Sequence, residues 1–267
     1  MKITINGKER TGGWESAFAV RNALGHESDV LIINGFQIRE DCELHDQDIV
    51  SVIPKGTMPP LDELEHMMMA RHTPQVFIKL KQGKVAIAGL GGLGSNIAVM
   101  LARIGVGQLL LVDFDVVEPS NLNRQSYYVR HLGLPKTVAL AEQLREINPF
   151  LTIKTQEALV QESNVEELFS GYDIICEAFD NPSAKATLVN TALLRLPHTK
   201  IVSASGLAGY ESANGIKTRR MMENLYICGD LTNAAQPGNG LMAPRVMVCA
   251  GHQANMVLRL LVGCGDA

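Results

Sequence analysis

The residues of this chain whose types and spacing could do chemistry begin at Gly89. Gly89, Gly91 and Gly94 stand in G-x-G-x-x-G register, and Asp113 closes the apolar run at residues 109–112. Glycines so placed let a backbone approach phosphate oxygens at the positive end of a helix, and an acid about 20 residues on takes ribose hydroxyls. The spacing implies the elements that hold them. Residues 85–88, Val-Ala-Ile-Ala, are wholly apolar, as in a strand buried on both faces of a parallel sheet. Ile97, Leu101 and Ile104, with Ala98 and Met100 beside them, follow at helical spacing, and Gly105 and Gly107 stop that helix. Strand, turn, helix, strand and acid in this order read as a nucleotide-binding unit more readily than as a structural glycine turn. The register alone fits a nicotinamide- or flavin-dependent oxidoreductase as well as any other nucleotide user.

Further along lies a second set of polar residues. Asn121, Asn123, Arg124 and Gln125 come soon after the strand that ends in Asp113, and Lys136 follows Pro135. Residues 172–178 form another apolar strand, which delivers Asp180 and Asn181. Ligands of open α/β sheets bind outside the carboxyl ends of such strands. Each residue also has a plain reading. Arg124 could pair with Glu118 or Asp115, Lys136 could lie on the surface at a helix start, and Asp180 could cap the helix after Pro182.

Bulk properties narrow the field. The chain has 267 residues, 46% of them apolar, which suits one α/β domain and a small companion. Its net charge is −4, from 24 basic and 28 acidic residues, so no bulk electrostatic case for nucleic acid or an anionic membrane exists. No run of 18 apolar residues and no signal-peptide pattern appears. Cys42, Cys176, Cys228, Cys249 and Cys264 are scattered without a C-x-x-C pair, which implies reduced thiols in a cytoplasmic protein.

Three segments are expected: a small β unit at 1–56, a linker and helix at 57–75, and the nucleotide-binding domain at 76–267. In the first, Ile3 and Ile5 alternate with polar residues and Asn6-Gly7 marks a hairpin. A helix over 16–24, a strand at 30–33, a turn at Asn34-Gly35 and a last strand at 49–53 complete a β-grasp order. That order resembles the sulfur carrier protein of thiamine biosynthesis. There a terminal strand leads into a Gly-Gly tail; here the chain runs on through Pro54-Lys55-Gly56. In the linker, Pro54, Gly56, Pro59 and Pro60 break regular structure, and a helix is expected over 61–69. Beyond Asp113, helices are expected at 137–147, 165–169, 184–196 and 245–261, and strands at 153–158 and 201–205. Residues 209–228 carry little signal, and 235–244 read as a loop.

G-L-G-G-L-G-S, then L-V-D-F-D-x-V-x-x-S-N-L-N-R-Q, then Pro135-Lys136, then a strand ending in Asp180-Asn181, occur together and in order. This set resembles the ubiquitin-activating-type adenylyltransferases, over about residues 84–262. Their bacterial members activate sulfur carrier proteins for thiamine and molybdenum cofactor synthesis, and the fused β-grasp segment is similar to the thiamine branch. The resemblance implies a doubly wound, mostly parallel, Rossmann-like α/β sheet. It also implies ATP-dependent adenylation of the Gly-Gly carboxylate of a small β-grasp carrier, with Mg²⁺, in a homodimer. By that resemblance Gly92, Asp113, Asn121, Arg124, Lys136 and Asp180 match the family's ATP and Mg²⁺ positions. Gly89, Gly91, Gly94, Asp115, Asn123, Gln125 and Asn181 join them as ATP-binding candidates. The residue types suit the chemistry. Arg124 and Lys136 supply fixed positive charge, Asn121 and Gln125 can donate to phosphate oxygens, and Asp180 can hold Mg²⁺.

Three departures stand out. Relatives carry R-x-x-R-Q ahead of the glycine strand, the second arginine reaching the partner subunit's site. Here Pro74 stands there, and Arg71 is the nearest arginine. Relatives with two C-x-x-C pairs hold zinc; none is expected here. Some carry a cysteine in the loop before the last helix, where this chain has Gln236. The rival readings are an NAD-dependent oxidoreductase and a carrier-binding module of the same family with weakened turnover.

Overall fold

The alternation at the start of the chain builds a hairpin. In the computed structural model, which describes residues 1–267, β1 (Lys2–Ile5) turns through Asn6 and Gly7, at φ 46° and 81°, into β2 (Lys8–Thr11). Two successive residues at positive φ give the tight turn whose twist matches the strands. The Ser16 hydroxyl caps α1 (Ala17–Leu24) by accepting the Ala19 N–H. β3 (Val30–Ile33) and β4 (Phe36–Ile38) form a second hairpin, and β5 (Ile49–Ile53) completes a sheet of order β2-β1-β5-β3-β4. β1 and β5 are parallel and the other pairs antiparallel. Ile3, Ile5, Val20, Leu31, Val50 and Val52 are buried together between this sheet and α1. β4 is three residues long and keeps Phe36 exposed, so its sequence carries no alternation to read.

α2 (Leu61–Met68) starts after Pro60, and α3 (Val76–Gln82) follows. α3 is unexpected; its seven residues bury only Leu80 and show no apolar stripe. The chain divides into two compact units, Met1–Ile78 and Lys79–Ala267.

In the second unit the order is β6 (Lys84–Ala88), α4 (Gly92–Arg103), β7 (Gln108–Val112), α5 (Lys136–Ile147), β8 (Thr152–Gln156) and α6 (Val165–Phe169). Then come β9 (Ile174–Glu177), α7 (Pro182–Arg195), β10 (Lys200–Ala204), β11 (Lys217–Met222), β12 (Leu225–Gly229) and α8 (Ala243–Val262). The sheet order is β11-β12-β10-β9-β6-β7-β8, parallel except for β11. This is the doubly wound, mostly parallel, Rossmann-like sheet that the sequence implies. Val85 and Ile87 face one core layer, with Ile97 of α4, Leu140 of α5 and Val257 of α8. Ala86 and Ala88 face the other, with Phe169 of α6 and Leu188 of α7. Burial on both faces is why β6 has no polar alternation.

β11 and β12 occupy the stretch with little signal. β11 is an edge strand of sequence Lys-Thr-Arg-Arg-Met-Met, with a register shift at Arg220/Met222, so neither apolar run nor strict alternation announces it. No helix is long and apolar enough to cross a membrane.

Candidate active site

The inner strand β6 pairs with β7 on one side and β9 on the other, and the chain winds outward from there in both directions. A crevice opens outside the carboxyl ends of strands at such a switch point. A cavity of about 540 Å³ lies there, lined by the glycine turn after β6, the loops after β7, β9 and β10, and residues 233–235. That volume is within the usual range of small-molecule sites.

The glycine turn is pinned from three directions. Gly89 sits at φ 88°, where a Cβ would lie 2.9 Å from Phe179 Cδ1 and 3.0 Å from the Ala178 carbonyl oxygen. The Leu90 N–H donates to Asp113 Oδ2 at 2.6 Å, and the Leu90 carbonyl accepts from the buried Tyr127 hydroxyl at 2.8 Å. Burial, and then the Asp113 charge, push the Tyr127 phenol well above its ordinary pKa, which keeps it a donor. α4 then starts from Gly91 with no side-chain cap, which leaves its first N–H groups available to an anion.

Asp113 is nearly buried, and its other oxygen accepts the Asp115 N–H at 2.8 Å. One carboxylate thus couples the glycine turn to the loop after β7. Asp115 pairs with Lys136 at 3.0 Å, and its carbonyl accepts the Lys136 N–H at 2.9 Å. Lys136 is 6% exposed and opens α5. It is therefore no surface lysine, and it sits against the positive end of its own helix, where a cation is disfavoured.

Arg124 lines the cavity with its stem beside Gly92; a Cβ at Gly92 would lie 3.5 Å from Arg124 Cγ. Its Nη1 donates to the Ser120 carbonyl at 3.1 Å and to Asn123 Oδ1 at 2.9 Å. It forms no ion pair with Glu118 or Asp115; its Nε is buried without a partner, as is Gln125 Oε1. The backbone behind them is anchored to α4: Asn96 Nδ2 donates to the Arg124 carbonyl at 3.1 Å, and Ser126 Oγ to Asn96 Oδ1 at 2.8 Å.

At the opposite wall, Asp180 is exposed, with no ion pair or hydrogen bond to another side chain. It is not the cap of α7. That is Asn181, whose Oδ1 accepts from Ser183 N–H at 2.9 Å and Ala184 N–H at 3.0 Å. An uncommitted carboxylate on a cavity wall suits Mg²⁺, which takes one or two carboxylates and completes its shell with phosphate and water. No group of three or more His, Cys, Asp and Glu side chains gathers anywhere in the chain to hold a metal without such help.

Gly89, Gly91, Gly92, Asp113, Asp115, Arg124, Gln125, Lys136, Asp180 and Asn181 therefore line one cavity. Four candidates do not. A Cβ on Gly94 would lie 1.8 Å from the Gly89 carbonyl oxygen, so its role is close packing of α4 on the turn. The Asn121 side chain accepts the Glu118 N–H at 3.0 Å and shapes its own loop. Asn123 holds Arg124. Arg71 lies in the first unit and donates to Gln37 Oε1 at 2.9 Å.

Other lining residues escaped the sequence reading. Phe114, Phe179 and Lys185 are among them, and Lys185 stands one helical turn after Asn181. Asp230 braces the loop after β12. Its oxygens accept from the Thr232 and Asn233 N–H groups, each at 2.8 Å, and Arg245 of α8 closes a buried ion pair with it. Burial raises the Asp230 pKa, but the donors from Asn233 and Thr232 outweigh it and hold the carboxyl well below the usual range.

The ThiF family matches residues 65–267, and a ThiS-like ubiquitin domain matches residues 1–56. The SAMP-activating enzyme E1 of Haloferax volcanii is 32% identical over 206 residues, covering 76% of this chain and 76% of that protein. The molybdopterin-synthase adenylyltransferase of Escherichia coli is 30% identical over 224 residues, covering 76% of this chain and 86% of that protein. Among solved structures, the Escherichia coli tRNA N6-threonylcarbamoyladenosine dehydratase in complex with ATP gives a TM-score of 0.68 at 20% identity. It covers 77% of this chain and 97% of its own, and shares the fold.

Proposed function

Since the chain belongs to the ThiF family, we propose that it joins AMP from ATP to the C-terminal carboxylate of a small β-grasp sulfur carrier ending in Gly-Gly. Relatives named as adenylyltransferases and as a SAMP-activating enzyme support that reaction class. A carboxylate oxygen bonds to the α-phosphorus, the bond from it to the bridging oxygen breaks, and pyrophosphate leaves with the electron pair. No proton has to move, so positioning and electrostatics carry the step.

The observation behind the reading is the cavity itself. Arg124, with an unpartnered buried Nε, and Lys136, held against its helix dipole, face the same space as the uncommitted Asp180. A hydride transfer needs no such set. The uncapped start of α4 and Gly92 offer the polyphosphate a backbone seat. Asp113 retains lone pairs for ribose hydroxyls. Mg²⁺ at Asp180 supplies charge neutralisation for the phosphates when bound.

The fused segment 1–56, matching a ThiS-like domain, favours a carrier of thiamine (thiazole) biosynthesis. We also read the active form as a symmetric dimer in which Arg71 serves the other copy's site, in place of the arginine that Pro74 replaces. A guanidinium can clasp phosphate bidentately. The experiment is carrier-dependent exchange of labelled pyrophosphate into ATP. Exchange above background supports adenylation. Its absence alongside tight carrier binding indicates the binding-module reading, and NAD binding without ATP binding the oxidoreductase.

A further inference from the structure

Lys185 of the cavity wall forms an ion pair with Glu177 behind it, and the binding of ATP leaves that pair without a task. Glu177 ends β9 and is fully buried. A carboxylate withdrawn from water is costly unless its lone pairs are all met. Here they are. Oε1 accepts the Phe179 N–H at 2.7 Å, and Oε2 accepts the Ser203 hydroxyl at 2.5 Å as well as the Lys185 ammonium. Beneath it, Gln253 Nε2 donates to the carbonyls of Glu177 and Val202, each at 3.1 Å. One side chain thus ties β9, β10 and α7 together and holds the turn that carries Asp180.

An apolar pair would stabilise these elements as well or better, because buried ion pairs rarely exceed well-packed hydrocarbon. What this pair adds is a fixed cation. Lys185 keeps 26% of its side chain exposed, and Glu177 occupies one of its three N–H donors, so two remain for the cavity. Arg124 and Lys136 reach the cavity from residues that follow β7; Lys185 reaches it from α7, behind β9. The reaction has two anions to hold, the polyphosphate and the attacking carboxylate.

We propose that Lys185 receives the carrier's terminal carboxylate, with Glu177 and Ser203 fixing its ammonium, while Arg124 and Lys136 hold the phosphates. This assignment rests on the adenylation reading. Lys185 orients one carboxylate oxygen toward the α-phosphorus and exchanges no proton.

The test uses the full chain, α,β-methylene ATP, and a Gly-Gly β-grasp carrier prepared with a C-terminal carboxylate or a carboxamide. The wild-type chain should bind the carboxylate form about tenfold or more tightly, the worth of a charge-assisted hydrogen bond. The double variant Glu177→Gln, Lys185→Met leaves no buried charge unpaired. It should keep wild-type ATP affinity, lose the carboxylate preference, and exchange pyrophosphate at least about tenfold more slowly. A double variant that keeps both preference and exchange overturns the assignment and leaves Lys185 a counter-ion. A second arm needs no variant. The carboxylate carrier should shield Lys185 of the wild-type chain from acetylation by N-hydroxysuccinimidyl acetate, and the carboxamide should not; equal labelling overturns the assignment. Wild-type chain that binds such a carrier but gives no exchange with ATP overturns the adenylation reading, and this assignment with it.

Discussion

At the scale of single residues, neither Asp180 nor Lys136 is needed for stability. Asp180 holds nothing in place, so Asp180→Ala should leave the thermal midpoint unchanged and lower pyrophosphate exchange by about two orders of magnitude, the usual loss of a positioned charge-stabilising group. Lys136→Met should also lower exchange. Because the lysine sits against its helix dipole and its ion-pair partner Asp115 is half exposed, its removal relieves a repulsion of roughly 0.3–1 kcal/mol without burying a lone charge, and the midpoint should hold or rise. Calorimetric melts beside exchange assays check both. Arg124 and Asp180 could be placed on the cavity because they follow apolar strands at the sheet's carboxyl edge, whereas Lys136 was marked only by its place in the family's motif. Asn121 and Asn123 bond within their own loop for a physical reason: short amides bond to their own loop or neighbour as readily as to a ligand. Lys185 could not be singled out, since one lysine on a helix carries no sign that its partner is a buried glutamate.

Elements fail or hold through fewer contacts than their length suggests. Gly94→Ala would drive a methyl into the Gly89 carbonyl oxygen, which lies 1.8 Å from the required Cβ. A loss of about 3 kcal/mol or more is expected, at the upper end for overpacking, and chemical denaturation should show it. The loop after β12 depends on Asp230. Its folded pKa is depressed, so its stabilisation is complete above the ordinary carboxylate pKa of about 4 and is lost as pH falls through the folded value. Asp230→Asn should cost about 3 kcal/mol at pH 7 by stranding Arg245, and the gap to wild type should narrow below about pH 4. Urea titrations at both pH values decide it. The apolar strands β6, β7, β9 and β10 and the amphipathic helices were readable from the chain. β4, α3 and β11 were not, because they are short or polar edge pieces whose existence depends on a neighbour.

For the whole molecule, every residue lining the cavity belongs to the unit Lys79–Ala267, which carries its own two core layers. Residues 79–267 expressed alone should therefore still bind ATP, measured by calorimetry. Adenylation is a different matter if Arg71 acts across a dimer. Arg71→Ala and Asp180→Ala chains, each inactive alone, should regain part of the exchange activity once mixed, since one hybrid site then holds both residues. Full activity of Arg71→Ala by itself, or no recovery on mixing, removes Arg71 from the site. The β-grasp element order followed from apolar runs, glycines and turns, and the doubly wound class from these together with the family motifs; the order of strands across each sheet and the quaternary structure leave no comparable periodic trace.

The strand order also sets a timetable. The first sheet has all its strands once Ile53 is made, but β6 waits for β9, whose first residue is Ile174. At ordinary synthesis speeds the interval of roughly 120 residues lasts about 6–24 s. In the part of it that follows Ala88, β6 has one edge open, and its backbone N–H and C=O groups on the side that β9 will close stay unpaired. A ribosome paused in that window presents a folded N-terminal unit followed by a sticky half-sheet. The nascent chain's hold on chaperones should peak there and fall once β9 and α7 emerge.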